Sequence, residues 1–135
     1  MKRYSAKLLF QFRVTIDGDP GKRRTCEERI VLIRAGTASQ ALALAKRKGR
    51  GGQHSYTNTD GNPVDFQFIG VMELLSLDPV CDEDEVWYDI TDRLLPMERA
   101  DSLLPPKHAL EAIRNEPRRG SGREIKKGKG RKRTP

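Results

Sequence analysis

The chain has little cysteine and no long apolar run. Its two cysteines, Cys26 and Cys81, are far apart in the sequence and form no Cys-x-x-Cys pair, so we expect two free thiols. The apolar runs are too short to span a bilayer. Lys7, Gln11 and Arg13 interrupt the N-terminal stretch that would form the apolar core of a signal peptide. These absences favour a cytoplasmic protein with no membrane partner.

The residue spacings of common catalytic, metal and nucleotide sites are also missing. His54 and His108 are isolated, which gives no zinc-ligand spacing. The glycine-rich run 49–52 follows a predicted helix and lacks the lysine-serine ending of a phosphate-binding loop. The acidic run 82–85 lacks the pattern of a calcium loop and is typical of a solvated acidic loop. We therefore expect no enzyme, no metal ion and no cofactor.

For two side chains, those of His54 and Cys26, a catalytic role is weighed against a structural one. We interpret His54 as a strand-end histidine with a local hydrogen bond, and the alternative is a general base that faces Asp60 or Asp65 across a hairpin. Cys26 has no evident activating base in the sequence around it. We therefore predict that Cys26 is a buried structural thiol and not a nucleophile.

Charge is unevenly distributed along the chain. From Arg114 to Pro135 there are ten Lys or Arg residues and two acidic residues, whereas residues 1–113 hold sixteen basic and seventeen acidic side chains. Within that near-neutral part, residues 1–50 are mainly basic, and residues 51–92 contain ten acidic residues and no Lys or Arg. These two blocks could neutralise one another across strands or form two opposed faces, and the sequence leaves both arrangements open.

Segment 116–135 has the composition of a disordered basic tail, because Gly, Ser and Pro separate its cations and it buries nothing. Such a tail can bind the phosphates of RNA or DNA through counterion release. It has no aromatic residue to stack on bases, so base-specific recognition is not expected. The alternatives are a solubility tail, a tail that folds back onto the acidic surface of the domain, and a protein partner. The candidate nucleic-acid-binding residues are Arg118, Arg119, Arg123, Lys126, Lys127, Lys129, Arg131, Lys132 and Arg133.

The length predicts one domain, and the patterns divide the chain into three parts. Residues 1–93 have the alternating and helical periods of an α+β domain. Residues 94–115 are interrupted by proline and predict an irregular extension with one short helix at 106–114. Residues 116–135 form the basic tail.

The domain is predicted to be an antiparallel sheet of four to five strands with one helix packed on one face. The predicted elements are a strand that ends near Ile16, a strand Cys26–Ala35, a helix capped by Thr37 with Gln40, a strand His54–Thr59, a strand Val64–Leu77 and a short edge strand Val86–Ile90. Residues 30–33 are apolar on both faces, which places the second strand in the sheet interior. Gly49 predicts a left-handed helix stop. Gly70 predicts either a bulge or the close approach of another backbone, and Met72 is expected on the same face as Phe66. A right-handed crossover would give the strand order 2-1-3-4.

Residues spread through this domain resemble a known family. They are Tyr4 to Phe10, Glu28 with Ile30 to Leu32, Ala41 with Leu42 and Ala45, Ser55 to Asn58, Gly61, Phe68 to Val71, and Glu85 to Tyr88. Over about residues 3–93 the chain resembles the bacterial family catalogued as domain of unknown function 4288. The resemblance implies a fold and no assigned activity, so no catalytic residue follows from it.

Trp87 and Tyr88 are large aromatic residues beside the acidic run. If they lie on an edge strand, one of them points away from the core and offers a docking surface to another chain. The alternative is packing beneath Leu94 and Leu95. The leading hypothesis is a non-enzymatic binding module whose tail contacts nucleic acid or ribonucleoprotein. The alternative hypothesis is a protein–protein interaction adaptor that uses this edge strand.

Overall fold

A computed structural model describes residues 1–77 and 81–117 of the chain. Contacts divide the chain into two units, with the boundary between Asp89 and Ile90. The described part of the first unit is residues 1–77 and 81–89, and that of the second unit is residues 90–117. The predicted disordered tail, apart from residues 116 and 117, lies outside the described residues.

The first unit is a four-stranded antiparallel sheet with one long helix, and its class is α+β. The elements are β1 (Lys2–Val14), β2 (Cys26–Ala35), α1 (Ala38–Gly51), β3 (His54–Thr57) and β4 (Pro63–Ser76). The strand order is β2-β1-β4-β3, and every neighbouring pair is antiparallel. The order 2-1-3-4 that we predicted is therefore wrong, because β4 and not β3 lies beside β1.

Strand length explains this order. β1 has 13 residues and β4 has 14, whereas β3 has only four. A long strand beside β1 satisfies many more backbone hydrogen bonds than a short one, and an unpaired backbone group is costly where water is excluded. The turn at 58–62 joins β3 to β4 and leaves the short β3 at the outer edge. In this turn the N–H of Asn58 donates to the backbone oxygen of Asn62, and the N–H of Gly61 donates to the backbone oxygen of Asn58.

The core lies on the face of the sheet that α1 covers. The buried apolar residues there are Tyr4, Ala6, Leu8, Phe10, Phe12, Ile33, Ala35, Ala41, Ala45, Val64 and Phe66. Alternation along β1 sends its even-numbered side chains to this face, as its sequence pattern predicts. The ring of Phe10 stacks on Phe66, with 4.6 Å between the ring centroids. The core is thus built from the centre of the β1–β4 pair.

β2 is an edge strand, and its predicted place in the sheet interior is wrong. Its bounds, Cys26–Ala35, are those predicted. Ile33 and Ala35 are buried against the core, but Ile30 and Leu32 on the opposite face are 45% and 38% exposed. An apolar run indicates that both faces of a strand are apolar, but it does not indicate how many strands lie beside it.

β4 contains two irregularities that flank the predicted bulge at Gly70. The pairing with β1 shifts between Lys7 and Leu8 and again between Leu9 and Phe10, so that β4 has an extra residue at each point. Each extra residue reverses the alternation of side chains beyond it. Met72 is therefore 54% exposed, and the prediction that it shares the buried face is wrong.

α1 begins as predicted and ends later. The side chain of Thr37 accepts a hydrogen bond from the backbone N–H of Gln40, which satisfies one of the free donors of the first turn. The predicted stop at Gly49 is wrong, because the helix continues to Gly51. Gly49 is buried, and a Cβ atom on it would lie 2.3 Å from the ring of Phe68. Glycine at this position allows the helix to approach the sheet closely.

The second unit contains only short helical turns among its described residues. They are α2 (Ala100–Leu103), a 3₁₀ turn (Lys107–Ala109) and α3 (Glu111–Arg114). The last two occupy the region where one short helix was predicted, and α2 was not predicted. None of the three turns buries a side chain. Among the described residues, no helix is long and apolar enough to cross a membrane.

Candidate interaction surface

The nine candidate nucleic-acid-binding residues lie outside the part of the chain that the structure describes. They are Arg118, Arg119, Arg123, Lys126, Lys127, Lys129, Arg131, Lys132 and Arg133. Three described surfaces of the first unit are relevant to binding: the segment that carries Trp87 and Tyr88, the cations at the end of α1, and the free edge of β2.

Residues 82–86 are held against β1 by side chains of that strand. The guanidinium of Arg3, which is 8% exposed, donates hydrogen bonds to the backbone oxygens of Asp82 and Glu83, both at 2.9 Å. It also donates to the backbone oxygen of Glu85 at 3.4 Å. Ser5 is fully buried, and its hydroxyl donates to the backbone oxygen of Val86. We call this arrangement the Arg3 clasp.

The predicted fifth strand is absent among residues 81–117. Val86–Ile90 forms no backbone ladder with a neighbouring strand, and the prediction of an edge strand there is wrong. At its first residue, the backbone oxygen of Val86 accepts a hydrogen bond from the Ser5 side chain instead of from a neighbouring backbone. The sequence signal for the clasp is weak, because Arg3 and Ser5 are ordinary members of the polar face of β1.

Trp87 and Tyr88 differ in their surroundings. The ammonium group of Lys7 lies over the ring of Trp87, 5.1 Å from its centroid, and Trp87 is half-buried. Tyr88 is 40% exposed and Val86 is 55% exposed. The structure thus places Trp87 beside β1 and leaves Val86 and Tyr88 on the surface, so the two predicted partner-binding residues do not form one aromatic ledge.

The basic and acidic blocks of the sequence meet in part. Arg13 of the basic block lies 3.8 Å from Asp65 of the acidic block, and the two residues are opposite one another on β1 and β4. The Arg3 clasp joins the same two blocks through backbone oxygens. Both groups of the Arg13–Asp65 pair are more than one third exposed, so the pair contributes little, about 0–1 kcal/mol. The described contacts of the Arg3 clasp go to uncharged backbone oxygens, so it is the Arg13–Asp65 pair that favours neutralisation across strands.

A group of cations at the end of α1 is not neutralised in this way. Lys46, Arg47, Lys48 and Arg50 are exposed. None of them forms an ion pair with another described residue. Lys48 and Arg50 lie in the last turn, where the helix dipole favours positive charge. We call these four residues the α1 cation cluster.

His54 has the local hydrogen bond expected of a strand-end histidine. Its Nδ1 lies 3.0 Å from the backbone oxygen of Gly52, and its ring packs against Tyr56 and Phe66. Asp65 instead accepts a hydrogen bond from the Ser55 hydroxyl at 2.6 Å. This geometry supports the local interpretation over a general base. Burial raises the pKa of the Tyr56 hydroxyl above its ordinary value of 10.0.

The two cysteines, Cys26 and Cys81, form no disulfide, as predicted. Cys26 is exposed at the start of the edge strand, so the prediction of a buried structural thiol is wrong. Within residues 1–77 and 81–117, no group of three or more His, Cys, Asp or Glu residues could hold a metal ion.

Comparison with known proteins gives a family and no activity. The family model described as Domain of unknown function (DUF4288) matches residues 3–88. The match begins at Arg3 and ends just beyond the backbone that Arg3 binds, so it includes both sides of the Arg3 clasp. No curated protein and no solved structure matches the chain.

Proposed function

We propose that this chain, which belongs to the family of the domain of unknown function DUF4288, is a non-enzymatic cytoplasmic binding module whose basic tail contacts nucleic acid or ribonucleoprotein. The observation that carries the proposal is the charge of the C-terminal segment. Ten Lys or Arg residues and two acidic residues lie between Arg114 and Pro135, next to a near-neutral remainder. A dense cationic segment with a single large apolar residue, Ile125, has no core to form and binds phosphates by releasing their counterions.

The α1 cation cluster supports the proposal from the folded part of the chain. Its four side chains are exposed and have no ion-pair partner among the described residues. An exposed cluster of one sign attracts a polyanion over about one Debye length, roughly 8 Å at physiological salt. It would add to binding by the tail without base specificity, because the cluster contains no aromatic side chain.

The main competing interaction is intramolecular. The side chains of Asp82, Glu83, Asp84 and Glu85 are exposed, while the backbone of three of these residues is bound by Arg3. Their carboxylates are thus available to the tail of the same chain. Exposed pairs of this kind are weak, about 0–1 kcal/mol each, and phosphates at high density would displace them.

Truncation after Asn115 tests the proposal. We would measure the binding of full-length and truncated protein to fluorescently labelled RNA and DNA of mixed sequence at about 50 mM salt, where phosphate contacts are strong. The truncated protein should lose most of its binding. A variant with Lys46, Arg47 and Lys48 replaced by Gln is the matched control, and it should retain most of its binding. Unchanged binding after truncation would refute the proposal.

A second candidate is a protein-interaction adaptor that uses Val86 and Tyr88, and it rests on the exposure of these two side chains on an irregular segment. Tyr88→Ala should abolish capture of the partner and leave stability unchanged, since Tyr88 is 40% exposed. Trp87→Ala is less suitable as a surface probe, because Trp87 lies under Lys7. Capture that survives Tyr88→Ala would exclude this candidate.

A further inference from the structure

The outer edge of β2 is long, regular and unpaired among the described residues. β2 has ten residues, and its pairing with β1 runs from Lys2 opposite Ala35 to Gln11 opposite Cys26 without a register shift. It contains no proline, glycine or bulge. Proline and bulges are two of the devices that stop an edge strand from pairing with another chain; charged side chains are a third, and β2 carries them on either side of its apolar centre. The other edge of the sheet is β3, which has only four residues.

The backbone groups that face outward can be identified from the pairing. The N–H of Phe12 donates to the backbone oxygen of Thr25 at 2.9 Å, just before β2 begins. Antiparallel strands alternate between residues that bond to the neighbour and residues that do not. Odd-numbered residues of β2 therefore bond to β1, and even-numbered residues turn their N–H and C=O groups outward. The outward residues are Cys26, Glu28, Ile30, Leu32 and Arg34.

The same five residues share the face of the sheet that α1 does not cover. Ile30 and Leu32 at the centre of the strand are 45% and 38% exposed. Glu28 and Arg34, on either side of them, are also exposed, and their side chains have no hydrogen-bond or ion-pair partner among the described residues. Arg34 lies opposite Arg3 on β1, so its cross-strand neighbour carries the same charge.

We propose that two copies of this chain associate through their β2 edges, with a twofold axis at Val31. Antiparallel pairing about this axis places Ile30 opposite Leu32 of the second copy. It also places Glu28 opposite Arg34 of the second copy, and each contact occurs twice. The four strands of each copy then form one sheet of eight strands. This association is independent of the proposed contact between the tail and nucleic acid.

Charge complementarity selects this register. An axis at Ile30 would pair a similar number of residues, but it would place Glu28 opposite Leu32 and Cys26 opposite Arg34. The axis at Val31 provides a carboxylate for each Arg34 and joins the two exposed apolar side chains. It also gives the outward N–H and C=O groups of Ile30 the outward groups of Leu32 as hydrogen-bond partners. Backbone, apolar and charged groups thus agree on one arrangement.

A charge-reversal cycle tests the partner and the register together. We would measure the mass of nuclease-treated full-length protein by light scattering and sedimentation up to about 500 µM, since an interface below the standard size associates weakly. The unmodified chain should approach twice its mass of 15.3 kDa. Glu28→Arg and Arg34→Glu should each weaken association about tenfold or more, because each places like charges opposite one another twice. The double variant should restore association.

Each single variant should remain folded. Glu28 and Arg34 are exposed, and Arg34→Glu places a carboxylate opposite Arg3 within the same chain. Circular dichroism and thermal melting would confirm this. Three results would overturn the proposal: a monomer at every concentration, a dimer whose mass is insensitive to both reversals, or single variants that the double variant does not rescue.

A disulfide test reports the axis directly. In a Cys26→Ser/Cys81→Ser background, Val31→Cys would place the new thiols of the two copies in a non-hydrogen-bonded pair, with Cα atoms about 4.5 Å apart. That separation suits a disulfide. Ile30→Cys is the control, because its two copies would be diagonal neighbours about 7 to 8 Å apart. Oxidation should cross-link Val31→Cys and spare Ile30→Cys, and the opposite preference would refute the axis.

Discussion

The close approach of α1 to the sheet at Gly49 predicts opposite effects for two glycine-to-alanine substitutions. Both Gly49 and Gly51 are helical residues without positive φ, so alanine should stabilise the helix by about 0.5–1 kcal/mol at either position. A Cβ on Gly51 would meet nothing within 4 Å, but a Cβ on Gly49 would lie 2.3 to 2.5 Å from three ring atoms of Phe68. Moving that ring should cost about 1–3 kcal/mol.

We therefore expect Gly49→Ala to lower the free energy of unfolding by about 1–2 kcal/mol and Gly51→Ala to raise it by about 0.5 kcal/mol. Urea unfolding followed by circular dichroism would measure both. In a domain of this size, the first change corresponds to a fall in Tm of about 4–10 °C. Stabilisation by both substitutions would contradict the packing described here.

Two further variants separate packing from a left-handed helix stop. If Gly49 were such a stop, Gly49→Asn would be tolerated, because asparagine adopts that conformation readily. If Gly49 is a packing residue, Gly49→Asn should be at least as harmful as Gly49→Ala. Phe68→Leu should recover part of the stability of Gly49→Ala, since residues in contact are not additive. Strict additivity of the two substitutions would contradict direct contact.

Three smaller predictions follow from other contacts. Arg3→Met should lower the free energy of unfolding by about 1–3 kcal/mol through loss of the Arg3 clasp. The fluorescence of Trp87 should then shift toward that of an exposed indole. An unchanged spectrum and an unchanged stability would contradict the clasp. Thr37→Ala should cost about 1 kcal/mol in a urea melt, whereas Thr37→Ser should cost little. The raised pKa of Tyr56 means that the unfolded chain loses this proton first, so stability should fall as pH rises above about 10 toward the folded pKa. Tyr56→Phe should reduce that fall in alkaline thermal melts, and an identical alkaline fall would exclude Tyr56 as its source.

Local patterns in the sequence predicted the secondary-structure elements better than they predicted which elements lie beside one another. Alternation along β1 identifies the buried face, because side-chain direction in a strand depends only on position. The Thr37 cap is predictable for the same reason, since donor and acceptor are three residues apart. The bounds of β2 are also local. These features need no knowledge of what packs against them.

The errors arose where distant residues decide the structure. The place of β4 beside β1 depends on the relative length of strands far apart in the sequence. The exposure of Met72 depends on the first bulge, which reverses the alternation before it, and on its own place as the extra residue of the second. The Arg3 clasp joins residues about eighty positions apart, and nothing in the local sequence distinguishes Arg3 from other cations of a polar face. Contacts between residues far apart in the sequence therefore determined the features that local patterns could not predict.

The candidate surfaces also divide into those that the sequence alone predicts and those that depend on the fold. Composition alone identifies the basic tail, because charge density needs no fold to be counted. The α1 cation cluster and the free edge of β2 required the structure. The sequence places Glu28 and Arg34 in a strand, but only the strand order shows that this strand is at the edge, with Arg34 opposite Arg3.

The salt dependence of RNA binding tests the proposed function most directly. If the tail of the full-length protein engages about six phosphates, the logarithm of the binding constant should fall with the logarithm of salt concentration with a slope near −5 on duplex and somewhat shallower on single strands. The chain truncated after Asn115, which retains the α1 cation cluster, should show weak binding with a much shallower slope. A slope near zero for the full-length protein, or equal slopes for the two chains, would contradict binding through the basic tail.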